Sequence, residues 1–581
     1  MEEPDDSAID RDDEAPGAVD YPGVGGGAGR ITTPAGDLHY LRASGNLEEM
    51  LGAQGTAFAD LARLGAREYL RGFIDDVGES SLPSVASKLG RMATRGVVLK
   101  KLRASLPRSY RAGLSAFARG AGQEVEQVLN EQLLIDLWGG LGRGSLMPKA
   151  KVAQTDRRHL PWLASSSVIL PGHGGPLHLR WLDNSSVGLW DRATTVTFYR
   201  PSRGLEFALV GSAGFVLGLP AGMNSAGLTL TVEPAGEGGV QWSGEPLGPA
   251  VFEILSDAHT IDEAGALLRQ HPALSNWRYI FCEGDTGAAA EWLVGPKGVR
   301  CVRRGSGAFS VNGDDLGLPG GHLPRIARWQ EARKQALNQL LIDWSTEGDG
   351  EVGRALEILN RPVDGAGVVP IHPLSGISNV GALIFEPRRR RLWVAAGAAP
   401  AGRRYFVPLS LSSRAAGGVL ARGVDPVEGA PGWSATACGQ AARQLYQALE
   451  MERSGESPRR ILIALEHALA LDSSQAPVHL LVGLMALRAG RGRRAEGAFA
   501  DALKLVEDPV RCAEIKVYLG WAMDVQKRRL AARKYYGEAG ANADLAPALR
   551  RWIRRFRRRR FRPLKAYEME IDFFAAAAFW P

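Results

Sequence analysis

Apolar residues change their spacing along this chain, and the changes divide it into regions. Between Gly36 and Gly139 large apolar side chains fall three or four positions apart. Leu47, Met50, Leu51, Phe58, Leu61 and Leu64 do so in one stretch, and Val125, Val128, Leu129, Leu133, Leu134 and Leu137 in another. That spacing gathers them on one side of a helix, so the region is expected to be helical. At Ser165 the period shortens towards two. Val168-Ile169-Leu170, Leu177-His178-Leu179, Val196-Thr197-Phe198, Phe207–Val210, Leu228–Val232, Tyr279-Ile280-Phe281 and Ala289–Val294 predict strands separated by glycine-rich turns. Helical patterns intervene at 249–270 and 323–343, and strands return at 382–386 and 391–396. Strands in series with helices inserted among them predict an α+β fold on antiparallel sheet.

From about Trp433 the pattern is helical again, and it repeats. Ala468–Asp472 recurs as Ala502–Val506, 34 residues on; Gly483 has a counterpart at Gly520, and Ala498-Phe499 at Lys534-Tyr535. A period near 34 with small residues at helix crossings fits tetratricopeptide-like helix pairs, with a plain helical bundle as the alternative. The expected organisation is an acidic tail over 1–35, a helical region over 36–164, and a β-rich region over 165–425 that forms one domain with it. An all-α helical-repeat domain over 430–565 and an apolar tail over 566–581 follow.

Charge sharpens both ends. The net charge of +7 is an average over nine acids and one arginine in residues 1–20 and nine arginines in residues 549–563. The acidic start holds too few large apolar groups to offset ordering entropy and is expected to be disordered. In the arginine run, Trp552 and Phe556 keep helical spacing, which predicts a terminal helix with a buried stripe and a solvated basic face. Binding of nucleic acid is the less favoured expectation there. No apolar run approaches the roughly 20 residues that span a bilayer. Met-Glu-Glu-Pro-Asp-Asp lacks the features of a signal peptide. Cys282, Cys301, Cys438 and Cys512 are too scattered for a disulfide framework or zinc site, so a reducing, cytoplasmic location is expected.

The chemistry centres on Ser165-Ser166-Ser167 at the start of a strand, with Arg180-Trp181-Leu182-Asp183 on the next. There is no Gly-x-Ser-x-Gly elbow, no His-Glu-x-x-His and no phosphate loop, and no cofactor is expected. His173 and His178 are assigned to a turn and a solvent-facing strand position. A serine hydroxyl needs a base to take its proton. A chain-terminal serine carries one in its own α-amino group, whose reference pKa is about 7.7–8.0. Cleavage of the bond before Ser165 would therefore create a nucleophile with its base attached.

These residues resemble a known family. Ala164-Ser165-Ser166-Ser167, Leu179-Arg180-Trp181-Leu182-Asp183 and Gly222-Met223-Asn224-Ser225-Ala226-Gly227-Leu228 are similar to the motifs of the peptidase C45 family, the acyl-coenzyme A:6-aminopenicillanate acyltransferase group. More distantly they resemble choloylglycine hydrolases. Further likeness lies in Gly122-Gln123 with the helix after it, in Ser310-Val311-Asn312 and in Arg325–Trp329, so the resemblance covers roughly residues 37–410. It implies the αββα sandwich of N-terminal nucleophile hydrolases and cleavage or formation of linear amide bonds. Ser165 matches the nucleophile, Arg180 and Asp183 the charged pair near the free amine, Asn312 a substrate or oxyanion asparagine, and Arg328 a buried arginine. Asn224 belongs to the most specific motif. Ser165 stands where the family usually has cysteine, Ala164 where it has glycine, Trp181 where it has asparagine, and Glu233 at the place of the oxyanion asparagine. The expected substrate is a small acyl-amide or acyl donor, and the helical repeats suit a protein partner or a second copy of the chain. The alternative is a catalytically degenerate member that serves as a binding scaffold.

Overall fold

The computed structural model of the protein describes residues 18–20, 27–65, 103–136, 163–312, 323–344, 351–360, 376–411 and 419–561, apart from short gaps at 104, 130–131, 134–135, 185–186, 214, 218–219, 236–240, 242, 543–544 and 546. In chain order its strands are β1 (Ala18–Asp20), β2 (Ala28–Thr33), β3 (Gly36–Gly45), β4 (Leu163–Leu170), β5 (Leu177–Asn184), β6 (Thr194–Pro201), β7 (Phe207–Ser212), β8 (Ala221–Asn224), β9 (Leu228–Pro234), β10 (Trp277–Glu283), β11 (Ala288–Gly295), β12 (Gly298–Ser306), β13 (Phe309–Asn312), β14 (Asn379–Glu386), β15 (Arg391–Ala396), β16 (Tyr405–Ser410) and β17 (Val427–Glu428). They form two sheets. The larger runs β1-β2-β3-β6-β7-β8-β9-β10-β11-β12 and the smaller β13-β4-β5-β14-β15-β16-β17. Neighbouring strands are antiparallel except β3 and β6, which run parallel.

Alternation along the strands stacks these sheets between helices. On β10, Tyr279 and Phe281 point to one face of the larger sheet, and Ile280 and Cys282 to the other, where they meet Ile169 of β4. The first face is covered by α1 (Leu47–Ala57), α2 (Ala59–Gly65), α3 (Arg108–Ala121), α4 (Leu247–Asp257) and α5 (Ile261–Gln270), through Leu51, Phe117, Val251 and Ile261 among others. Ile31, Val196, Val210 and Met223 of the larger sheet meet Leu383, Phe385, Val394 and Val407 of the smaller one. Beyond the smaller sheet lie α6 (Leu323–Asp343) and α7 (Glu351–Leu359), whose Leu337, Leu340, Ala355 and Leu356 cover Val168, Leu179, Trp181 and Ile384. The layers are therefore helices, sheet, sheet, helices.

Two sequence expectations need correction. Residues 36–45, expected to be helical, are β3, and within the expected disordered tail residues 28–33 are its hairpin partner β2 and residues 18–20 are β1, paired with β2. Leu38 and Tyr40 face the second sheet while Leu41 and Ala43 face the helices. A strand buried on both faces loses the simple alternation that would have marked it. Residues 1–17 and 21–26 of that tail lie outside the described residues.

The C-terminal region is helical, as the period predicts. Helices α8 (Ala437–Arg453), α9 (Pro458–Leu471), α10 (Ala476–Arg488), α11 (Gly492–Lys504), α12 (Pro509–Val525) and α13 (Arg529–Gly540) pack in consecutive pairs, and α14 (Pro547–Arg558) closes the array. A Cβ at Gly483 would lie 2.3 Å from the Phe499 ring, and one at Gly520 would lie 2.3 Å from the Tyr536 ring. The structural counterpart of Phe499 is thus Tyr536, one residue past the Tyr535 that the sequence suggested. The array is tied to the sheets by an Arg192–Glu450 ion pair and by Arg404, which bonds Ser434 and stacks on Trp433. The apolar tail 566–581 lies outside the described residues. No helix among the described residues is long and apolar enough to cross a membrane.

Candidate active site

Register decides how the serine run is presented. Ala164 lies opposite Asp183, Ser165 opposite Leu182, Ser166 opposite Trp181 and Ser167 opposite Arg180. Directly opposed residues share a face, and successive ones alternate. Ser165, Ser167, Arg180 and His178 therefore point between the two sheets, whereas Ser166 and Asp183 point outward to α6. Arg180 and Asp183, expected as a pair, sit on opposite faces because three positions separate them.

The outward cluster is a saturated ion pair. Arg333 of α6 bonds the Asp183 carboxylate, and its Nη2 and Nε also donate to Ser166 Oγ at 2.7 and 3.2 Å. Ser378 Oγ donates to the other Asp183 oxygen at 2.8 Å. All four residues are buried. Burial raises the Asp183 carboxyl above its ordinary range, while Arg333 and Ser378 pull the other way.

The inward cluster is a chain of hydroxyls running from Glu233 to His178. Ser167 Oγ donates to Glu233 Oε1 at 2.9 Å and lies 2.8 Å from Thr231 Oγ1. Thr231 Oγ1 lies 3.3 Å from His178 Nε2, and Thr229 Oγ1 lies 2.8 Å from His178 Nδ1. Arg180 donates to the carbonyls of Pro220 and Val232 at 3.1 and 3.0 Å. Burial pulls the Arg180 guanidinium down to about 10, opposed by the Glu233 charge. Burial also drives His178 down to about 3, with Arg180 adding to the effect, so the imidazole is neutral. His178 is therefore a buried hydrogen-bonding residue and not the solvent-facing one expected. Ser165 Oγ and Glu233 Oε2 are among the buried atoms that make no hydrogen bond among the described residues. A cavity of about 20 Å³, room for one water, opens beside Arg180 and Leu182.

The other expected residues divide. Asn224 faces the opposite, helix-covered side of the larger sheet, where it donates to the Ala258 carbonyl at 2.7 Å and accepts from the Leu228 amide at 3.0 Å. It fastens the β8–β9 turn, so its motif is a structural one here. Asn312 ends β13 directly opposite Ser166. Its side chain, like that of Arg328 on α6, lies outside what the structure describes. The arginine that reaches the serines is Arg333. Its signal was present, since Arg333 stands in register with Leu337, Leu340 and Trp344 on the apolar stripe of α6.

No protein-family model matches this chain, and no curated protein matches it.

Proposed function

We propose that the protein is a self-processing amide hydrolase or acyltransferase of the N-terminal nucleophile class, with Ser165 as nucleophile once the 164–165 bond is cut. The observation that carries this is the difference among three neighbouring serines. Ser166 is held by Arg333 and Ser167 by Glu233 and Thr231, while the Ser165 hydroxyl is buried and uncommitted. In self-cleavage Ser165 Oγ adds to the Ala164 carbonyl carbon, the C–N bond breaks, and the nitrogen takes up the hydroxyl proton. Water then hydrolyses the resulting ester, freeing the Ala164 carboxylate and the Ser165 amine. In turnover that amine accepts the Oγ proton as the oxygen attacks an acyl carbon. Asp183 lies directly across from Ala164, its carboxylate held by Arg333 and Ser378, and Arg180 shares the hydroxyl's face. The four-layer packing of helices and sheets agrees with the αββα sandwich of that class.

Glu233, which stands where an oxyanion donor is expected, is engaged with Ser167 and contributes no donor. Loss of one such donor costs about 10²–10³ in rate, so slow turnover is part of the proposal. Burial of all three serines supports the second reading, a folded scaffold without catalysis. Intact mass spectrometry of the purified full chain separates the two. The enzyme reading expects fragments divided between Ala164 and Ser165, lost in Ser165→Ala and kept in Ser166→Ala. A cut before Ser166 would transfer the role to the Arg333-held hydroxyl. An uncut chain that no acylating probe modifies would leave the scaffold.

A further inference from the structure

The arginine-rich helix differs from the rest of the array in how its charges are spent. Elsewhere in the array Arg488 pairs with Glu452, Arg494 with Glu466, Arg528 with Glu496 and Arg529 with Asp524, and the exposed arginines that form no ion pair among the described residues, Arg443, Arg459, Arg491, Arg493 and Arg533, are scattered over several helices. Along and just past α14, Arg550, Arg554, Arg555, Arg557, Arg558 and Arg559 are exposed, and none of them forms an ion pair among the described residues. The helix is firmly seated all the same. Ile553 and Phe556 are buried, Trp552 and Phe556 pack on Trp521, and Phe561 stacks on the same indole. A fixed row of like charges repels itself, and a polyanion laid along it relieves that repulsion.

We infer that this arginine face is a docking surface for an acidic polypeptide, and that its occupant is residues 1–17 of the same chain. Those residues carry eight acids and one arginine, close in number to the nine arginines of 549–563. Guanidinium groups bind carboxylates through paired N–H donors. Extended, seventeen residues reach roughly 55–60 Å, enough to cross the face of a domain, and attachment to the same molecule gives the contact an effective concentration in the millimolar range. The aromatic rings of α14 are turned inward, so the face offers no platform on which nucleic-acid bases would stack. The docked segment occupies the surface that phosphate polymers or anionic lipid would otherwise use.

Hydrogen-exchange mass spectrometry of the full chain tests this. Converting the eight acids to their amides (E2Q, E3Q, D5N, D6N, D10N, D12N, D13N and E14Q) should speed exchange across 547–561 several-fold. R550E/R554E/R558E should speed exchange across 1–17 to a similar degree, and 0.5 M salt, where the Debye length falls to about 4 Å, should do both. The eight-amide variant should also bind duplex DNA and phosphatidylserine vesicles at least tenfold more tightly than the parent. Unchanged exchange in both variants would overturn the proposal. So would a parent chain that binds DNA or vesicles as tightly as the eight-amide variant, which would mean that the face is open and its partner external.

Discussion

The two faces of the β4–β5 pair carry equally buried polar groups that are completed in different ways. Outward, Asp183, Arg333, Ser166 and Ser378 close on one another. Inward, Glu233, Ser167, Thr231 and His178 form a chain beside Arg180 that leaves Ser165 Oγ and Glu233 Oε2 without partners. A buried polar atom normally finds a partner in the protein or in water, so an uncompleted one marks a place for a bound water or for chemistry. The outward face holds the hairpin in place, and the inward face carries the hydroxyl proposed as nucleophile. Removal of side chains should therefore cost stability on the first and reactivity on the second.

The largest effect is expected outward. Arg333→Met leaves a buried carboxylate uncompensated and should lower stability by about 3–5 kcal/mol in urea denaturation, with most of that recovered in the double variant Arg333→Met/Asp183→Leu. A loss below about 1 kcal/mol would remove the distinction between the faces. Next in size is the acid limb. A neutral buried His178 must take up its proton on unfolding, so native stability should fall as pH drops from 6.5 towards about 3. Denaturation curves of His178→Gln across that window should show a shallower decline than those of the parent. Glu233→Gln keeps an acceptor for Ser167 but removes the counter-charge of Arg180, and should cost about 1–2 kcal/mol. The smallest change in stability is expected at the proposed nucleophile. Ser165→Ala removes no hydrogen bond and relieves a buried, unpartnered hydroxyl, so against uncut parent it should leave stability unchanged or raise it by no more than about 1 kcal/mol, while abolishing self-cleavage. A large loss of stability there would make Ser165 a packing residue.

Part of this was legible in the sequence. Strands β4–β7, β9–β11, β14 and β15, α6 and the helical C-terminal region follow from period alone, because each buries a face whose spacing is written in the side chains. The separation of Arg180 from Asp183 was also legible, since an odd interval along a strand places two residues on opposite faces. Reading the two as one charged motif concealed it. Arg333 was visible as a charge within an apolar stripe. His178 was not, because a polar residue between Leu177 and Leu179 looks solvated until a second sheet is known to cover it. β3 was hidden for the same reason, and the Phe499–Tyr536 equivalence needed the two glycine contacts to fix its offset.

The one parallel pairing in the larger sheet has a consequence of its own. β3, with α1 and α3 packed against the sheet, comes from before the 164–165 bond, and β6, its hydrogen-bonded neighbour, from after it. Once that bond opens, each product supplies half of a shared ladder and neither can complete it alone. The folded protein would remain whole, but its refolding would become a meeting of two chains, first order in each. Unfolding that is reversible before the cut would then depend on protein concentration afterwards, and a molecule that had matured and been denatured when dilute would not return.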